Sequence, residues 1–130
     1  MKKMIFFFVC VLALAGTVIL QHNVFQRSVT NLSDNISALE TLVYESEDDV
    51  NTDKINEAFQ KTLNDWHDDK KTLVLVVDYM QIEEVGISLA KIEIGIKKNN
   101  VEKCEEEINV LKNVCDVLKK REAMNWQNVL

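Results

Sequence analysis

The chain is 130 residues long, 47% hydrophobic and free of proline, with 21 acidic against 15 basic residues. That length suits one domain, and the apolar share excludes a chain too polar to bury a core. The acidic balance sets nucleic acid aside as a partner, because a negative surface repels phosphate.

Met4 to Leu20, MIFFFVCVLALAGTVIL, is a run of seventeen residues without charge, preceded by Lys2 and Lys3. As a helix it spans about 25 Å, slightly less than a hydrocarbon core of about 30 Å, and the two lysines can snorkel to cover the shortfall. A cleavable signal peptide has similar parts: a basic start, an apolar Met4 to Leu12 and a small-residue site at Ala13-Leu14-Ala15. Val18-Ile19-Leu20 prolong the apolar run past that site, which favours an uncleaved anchor. The lysines then keep the amino terminus cytoplasmic and put the following domain outside, or leave it secreted if the segment is cleaved. Beyond the lysines, 13 basic residues face 21 acidic ones, a net charge of −8.

Phe25, Val29, Leu32, Ile36, Leu39 and Val43 alternate at spacings of four and three, a heptad seam of the coiled-coil kind. It predicts a first outer helix at about 24–47 that can continue straight from the membrane helix. Ser46-Glu47-Asp48-Asp49 forms a short acidic connection. Asp49, Asn51 and Asp53 imitate the first ligands of a calcium loop, but Lys54 and Gln60 stand where that loop needs glycine and a bidentate glutamate. Helix punctuation explains them better, with Asn51 or Thr52 as cap and Asp53 at the positive helix end.

A second helix, about 53–79, shows Ile55, Phe59, Leu63, Trp66, then Leu73, Val76, Val77 and Met80, mostly at helical spacing through a polar middle. Leu73 to Val77 is rich in β-branched residues, yet both flanks keep the helical period, so it reads as a deeply buried helical segment. Trp66-His67-Asp68-Asp69 is the chain's one cluster of aromatic, imidazole and carboxylate groups. Consecutive helical residues point in different directions, so the three polar groups do not converge on one ion. The apolar phase restarts at Ile82, which places a break near Asp78 to Gln81 if the helix is interrupted there.

The third helix, about 82–98, follows Ile82, Val85, Leu89, Ile92 and Ile96, with Gly86 and Ala90 spaced for a close helix approach. Asn99-Asn100 predicts a stop and a new cap. The last helix, about 101–127, carries Val101, Cys104, Ile108, Leu111, Cys115 and Leu118. Val110, Val114 and Val117 widen its stripe, and such a width calls for burial against more than one helix. Cys104 and Cys115 stand about 16 Å apart on that helix and cannot bridge, so they read as small core residues. Lys119-Lys120-Arg121 complements the helix dipole. Met124, Trp126, Val129 and Leu130 close the chain, either sealing the bundle or meeting a partner.

The anchor, Trp66-His67, the segment Asp78-Tyr79-Met80-Gln81-Ile82-Glu83-Glu84-Val85 and the closing Asn125-Trp126-Gln127-Asn128-Val129-Leu130 together resemble a family of short proteins of spore-forming low-GC Gram-positive bacteria, catalogued as a domain of unknown function. The resemblance spans nearly the whole chain. It implies a membrane-anchored helical protein and supplies no activity and no functional residue.

The expected architecture is all-α: residues 1–3 as a cytoplasmic tail, 4–20 as a single transmembrane helix, and 21–130 as a three- to four-helix antiparallel bundle. Nucleophile, base and phosphate-loop signatures are missing, so no enzyme, no metal and no cofactor is expected. The leading expectation is an interaction or accessory module for another membrane or envelope protein, or one that self-associates, held to lipid by its anchor. Phe25, Val29, Leu32, Ile36, Trp66 and Trp126 are its candidate contact residues. The alternative is an extracytoplasmic bundle that senses a small ligand and signals through a partner.

Overall fold

The computed structural model describes the backbone of residues 1–75 and 77–129 and side chains through Met124. Four helices account for nearly all of it: α1 (Lys2–Glu45), α2 (Asp53–Leu73), α3 (Tyr79–Lys97) and α4 (Val101–Val129), with no strand among the described residues. α1 is one unbroken helix of 44 residues. At 1.5 Å per residue it runs about 66 Å, so the apolar run and the first outer helix are two parts of a single rod. Its first part, residues 2–21, is exposed throughout and long and apolar enough to cross a membrane. Within this stem Thr17 donates its hydroxyl to the Ala13 carbonyl at 2.8 Å, a bond back to the preceding turn that satisfies the hydroxyl inside the helix.

From Phe25 onward α1 enters the bundle. α1 packs against α2 and α4, α3 packs against α4, and α2 meets α3 over a shorter stretch; among the described residues the backbones of the diagonal pairs do not come close. That is an up-down-up-down four-helix arrangement. Antiparallel pairing shows in the cross-links: Asn31 to Asp69 and Asn35 to Asp65 between α1 and α2, and Glu40 to Lys112 between α1 and α4. The heptad seam Phe25, Val29, Leu32, Ile36, Leu39 and Val43 forms the core with Ile55, Phe59 and Trp66 of α2, with Val85, Leu89 and Ile92 of α3, and with Ile108, Leu111 and Cys115 of α4.

The turns follow from local chemistry. Thr52 caps α2 by accepting from the Ile55 amide, and Asp49 accepts from the Asn51 amide, so the calcium-like spacing is used for punctuation. Lys98 ends α3, and Asn99 takes the left-handed conformation at φ 52. The Asn100 and Asn99 amides return to the carbonyls of Gly95 and Ile96, a Schellman closure that asparagine tolerates without glycine. Asn100 then accepts from the Lys103 amide and starts α4. The Asn99 side chain also accepts from the buried Val50 amide at 2.7 Å, tying the two connections at the end of the bundle farthest from the stem.

Two expectations about the α2–α3 junction are corrected. α2 stops at Leu73, and Val74 and Leu75 lie exposed, instead of continuing as a buried helical segment to residue 79. The interruption therefore falls between Leu73 and Tyr79, ahead of Gln81. Asp78 caps α3 through the Met80 amide and holds ψ at 133°, an extended backbone that a continuous helix cannot contain.

Candidate interaction surface

Phe25, Val29, Leu32 and Ile36 face inward along α1 and Trp66 is 4% exposed, so the structure spends these five positions on the chain's own core. The side chain of Trp126 lies outside the described residues. The apolar residues that the bundle leaves outside are a different set.

Beyond the stem, Tyr44 stands alone and Val74, Leu75 and Tyr79 lie at the α2–α3 turn, while six further residues repeat along α3 and α4. On α3, Met80, Ile87 and Ile94 stand seven apart, and on α4 Val110, Val117 and Met124 repeat the same spacing. All six are exposed, between 43% and 68%. The core of α3 runs through Val85, Leu89, Ile92 and Ile96, so the Met80 stripe lies on the opposite side of that helix. Gln81 and Glu84 of α3 share a groove of about 240 Å³ with Val110, Asn113, Val114 and Val117 of α4. Of the six stripe residues, Val110 and Val117 line this groove, and the Met80 stripe runs along the outward side of α3 next to it.

As expected from the width of its stripe, α4 is buried against two helices, α1 and α3. Cys104, Ile108, Leu111 and Cys115 meet the core and Val114 packs partly buried against it, whereas Val110 and Val117 are left about half exposed. Gly86 and Ala90 are likewise exposed, and a Cβ at Gly86 would meet nothing within 4 Å. The close approach between α3 and α4 is made by Gly95, where a Cβ would stand 2.8 Å from the Cys104 Sγ.

Polar groups at the helix seams fix this arrangement. Glu107, buried on the α3 side of α4, lies 3.3 Å from Lys103 and 3.8 Å from Lys91. Asp65 accepts from Asn35 and from Lys61, which also donates to Asn35. The Asn35 amide, helped by Lys61, holds the Asp65 carboxyl below its ordinary value. Burial pushes the Cys115 thiol up to about 11 and raises Cys104 as well. Both thiols are free and protonated at neutral pH, consistent with core packing.

His67 is exposed, and its neighbours Asp68 and Asp69 diverge from it, Asp69 turning to Asn31. His22 meets Glu122 at 2.9 Å and links α1 to α4 at the stem end of the bundle. One hundred positions separate the two, so no local pattern announces the pair. Among the described residues, no group of three or more His, Cys, Asp or Glu side chains comes together as a metal site.

An all-α bundle on a long apolar stem, with one apolar face left outside, is the class of protein that fold and surface define. The chain belongs to the family described as Domain of unknown function (DUF4363), which matches residues 19–129. The match begins at the end of the apolar run and covers the bundle. No curated protein and no solved structure matches the chain.

Proposed function

We propose that this protein is a non-catalytic, single-pass accessory module of a bacterial envelope, anchored by its stem with the bundle outside, which docks on another membrane or envelope protein through the α3–α4 face. The observation that carries this reading is the pair of exposed heptad stripes, Met80-Ile87-Ile94 and Val110-Val117-Met124. Seven residues repeat at about 10.5 Å along a helix, the interval at which a second amphipathic helix presents its own apolar residues. A partner helix laid along the α3–α4 groove covers both stripes, and Glu84 and Asn113 supply polar contacts at the rim.

The test is crosslinking in native membranes followed by capture on a carboxy-terminal tag, for the parent chain and for Ile87→Asp and Val117→Asp. Both positions are about half exposed, so each substitution is expected to cost about 1–2 kcal/mol of stability and leave the bundle folded. Loss of one stoichiometric partner in both variants, with helix content and membrane retention unchanged, supports the reading. Retention of that partner in both contradicts it. Capture of the chain's own copies, lost in the same variants, assigns the face to self-association.

A further inference from the structure

Three observations coincide at the end of the bundle from which the stem leaves. The α2–α3 turn leaves Val74, Leu75, Tyr79 and Met80 exposed, with Leu75 at 77%. The height of this turn follows from helix register. Asn31 meets Asp69 and Asn35 meets Asp65, so the antiparallel pairing carried onward sets residues 74 and 75 beside the α1 turn around Phe25. Phe25 lies only five residues past Leu20, about 8 Å along the helix axis. The headgroup layer adds about 5–8 Å on each side of a hydrocarbon core of about 30 Å.

Charge is divided along the same axis. Residues 30–66 and 87–116, the half farther from the stem, hold 15 acidic and 7 basic residues. Residues 21–29, 67–86 and 117–129, the half next to the stem, hold six of each. The entire net charge of −8 therefore lies away from the stem, and the near half carries no net repulsion toward phosphate. Lys70 and Lys71 end α2 directly before the exposed turn.

We propose that the α2–α3 turn inserts into the headgroup–acyl boundary of the membrane that holds the stem. Val74 and Leu75 form the apolar wedge, Tyr79 sits at headgroup level, and Lys70 and Lys71 lie against lipid phosphates. This second contact rests on the anchored reading above and goes beyond it: stem and turn together fix the rotation of the bundle about α1. The α3–α4 face is then held at a set orientation beside the membrane, with Met80 and Met124 at its lower edge.

The test uses the full chain reconstituted in vesicles of phosphatidylcholine with a minor share of phosphatidylglycerol, with and without lipids brominated high on the acyl chain. Leu75→Trp and Tyr79→Trp place probes in the turn, and Tyr44→Trp places one at the far end, where Tyr44 is exposed. Each emission is read as the difference from the parent chain. Turn probes that lose most of that added emission to brominated lipid, while the Tyr44→Trp probe keeps it, support the insertion. A chain that stays with the vesicles through alkaline washing, but whose turn probes are not quenched, overturns the insertion and leaves the anchor standing. A chain washed off the vesicles overturns both.

Discussion

At the scale of single residues, two glycines of α3 carry opposite consequences. A Cβ at Gly95 would stand 2.8 Å from the Cys104 Sγ and 3.4 Å from the Cys104 amide nitrogen, whereas one at Gly86 meets open space. Overpacking at Gly95→Ala costs about 1–3 kcal/mol, which outweighs the gain in helix propensity of about 1 kcal/mol. Gly86→Ala keeps the propensity gain alone. Thermal unfolding of the full chain should therefore show a lower midpoint for the first variant and a higher one for the second. Adding Cys104→Ala to Gly95→Ala should restore part of the loss, read as a coupling term in a double-mutant cycle. Asp65 makes a second prediction. Its folded-state value is depressed by Asn35 and Lys61, so the folded chain binds fewer protons there than the unfolded one. Its stabilising contribution is present above the ordinary value of 3.8 and is lost as pH falls through the depressed folded value. In Asp65→Asn that part of the acid limb should flatten in a stability-against-pH curve.

At the scale of elements, the caps are legible in sequence because their chemistry is local. Asn99-Asn100 reads as a stop and a start, and Asn51 or Thr52 as an N-cap, of which the structure uses Thr52, because a left-handed asparagine and a capping side-chain oxygen act within a few residues of themselves. The added bond from the Val50 amide to the Asn99 side chain is not legible, since its partners come from different connections. That bond makes a graded prediction. Asn99→Gly keeps the left-handed backbone and loses only the acceptor for a buried amide, a cost of about 1–3 kcal/mol. Asn99→Ala adds about 1–2 kcal/mol of backbone strain, so chemical denaturation should rank it below Asn99→Gly. The end of α2 is illegible for a different reason. Leu73 to Val77 are apolar enough to be buried and β-branched enough to leave a helix, and the outcome turns on Asp78 capping α3. The heptad pattern has the same ambiguity: Phe25-Val29-Leu32-Ile36 and Met80-Ile87-Ile94 both obey a seven-residue period, and only packing shows that the first is inside and the second outside.

At the scale of the whole molecule, sequence predicts the stem, the bundle and its order, because an uncharged run and amphipathic periods are dictated by transfer from water. It does not locate the contact face, since that depends on which stripes the other three helices have already covered. The same holds for His22 and Glu122, and for the ladder from Asn31 to Asp69 and from Asn35 to Asp65, whose partners come together only through the antiparallel register. With those seams closed internally, the α3–α4 face keeps two apolar stripes exposed, and it carries the functional reading. A photo-crosslinking residue placed at position 87 of the full chain, compared with one at position 44, tests that reading directly in native membranes. The account predicts one discrete crosslinked species from position 87 and none from position 44. Equal labelling from both positions, or none from position 87, would contradict it.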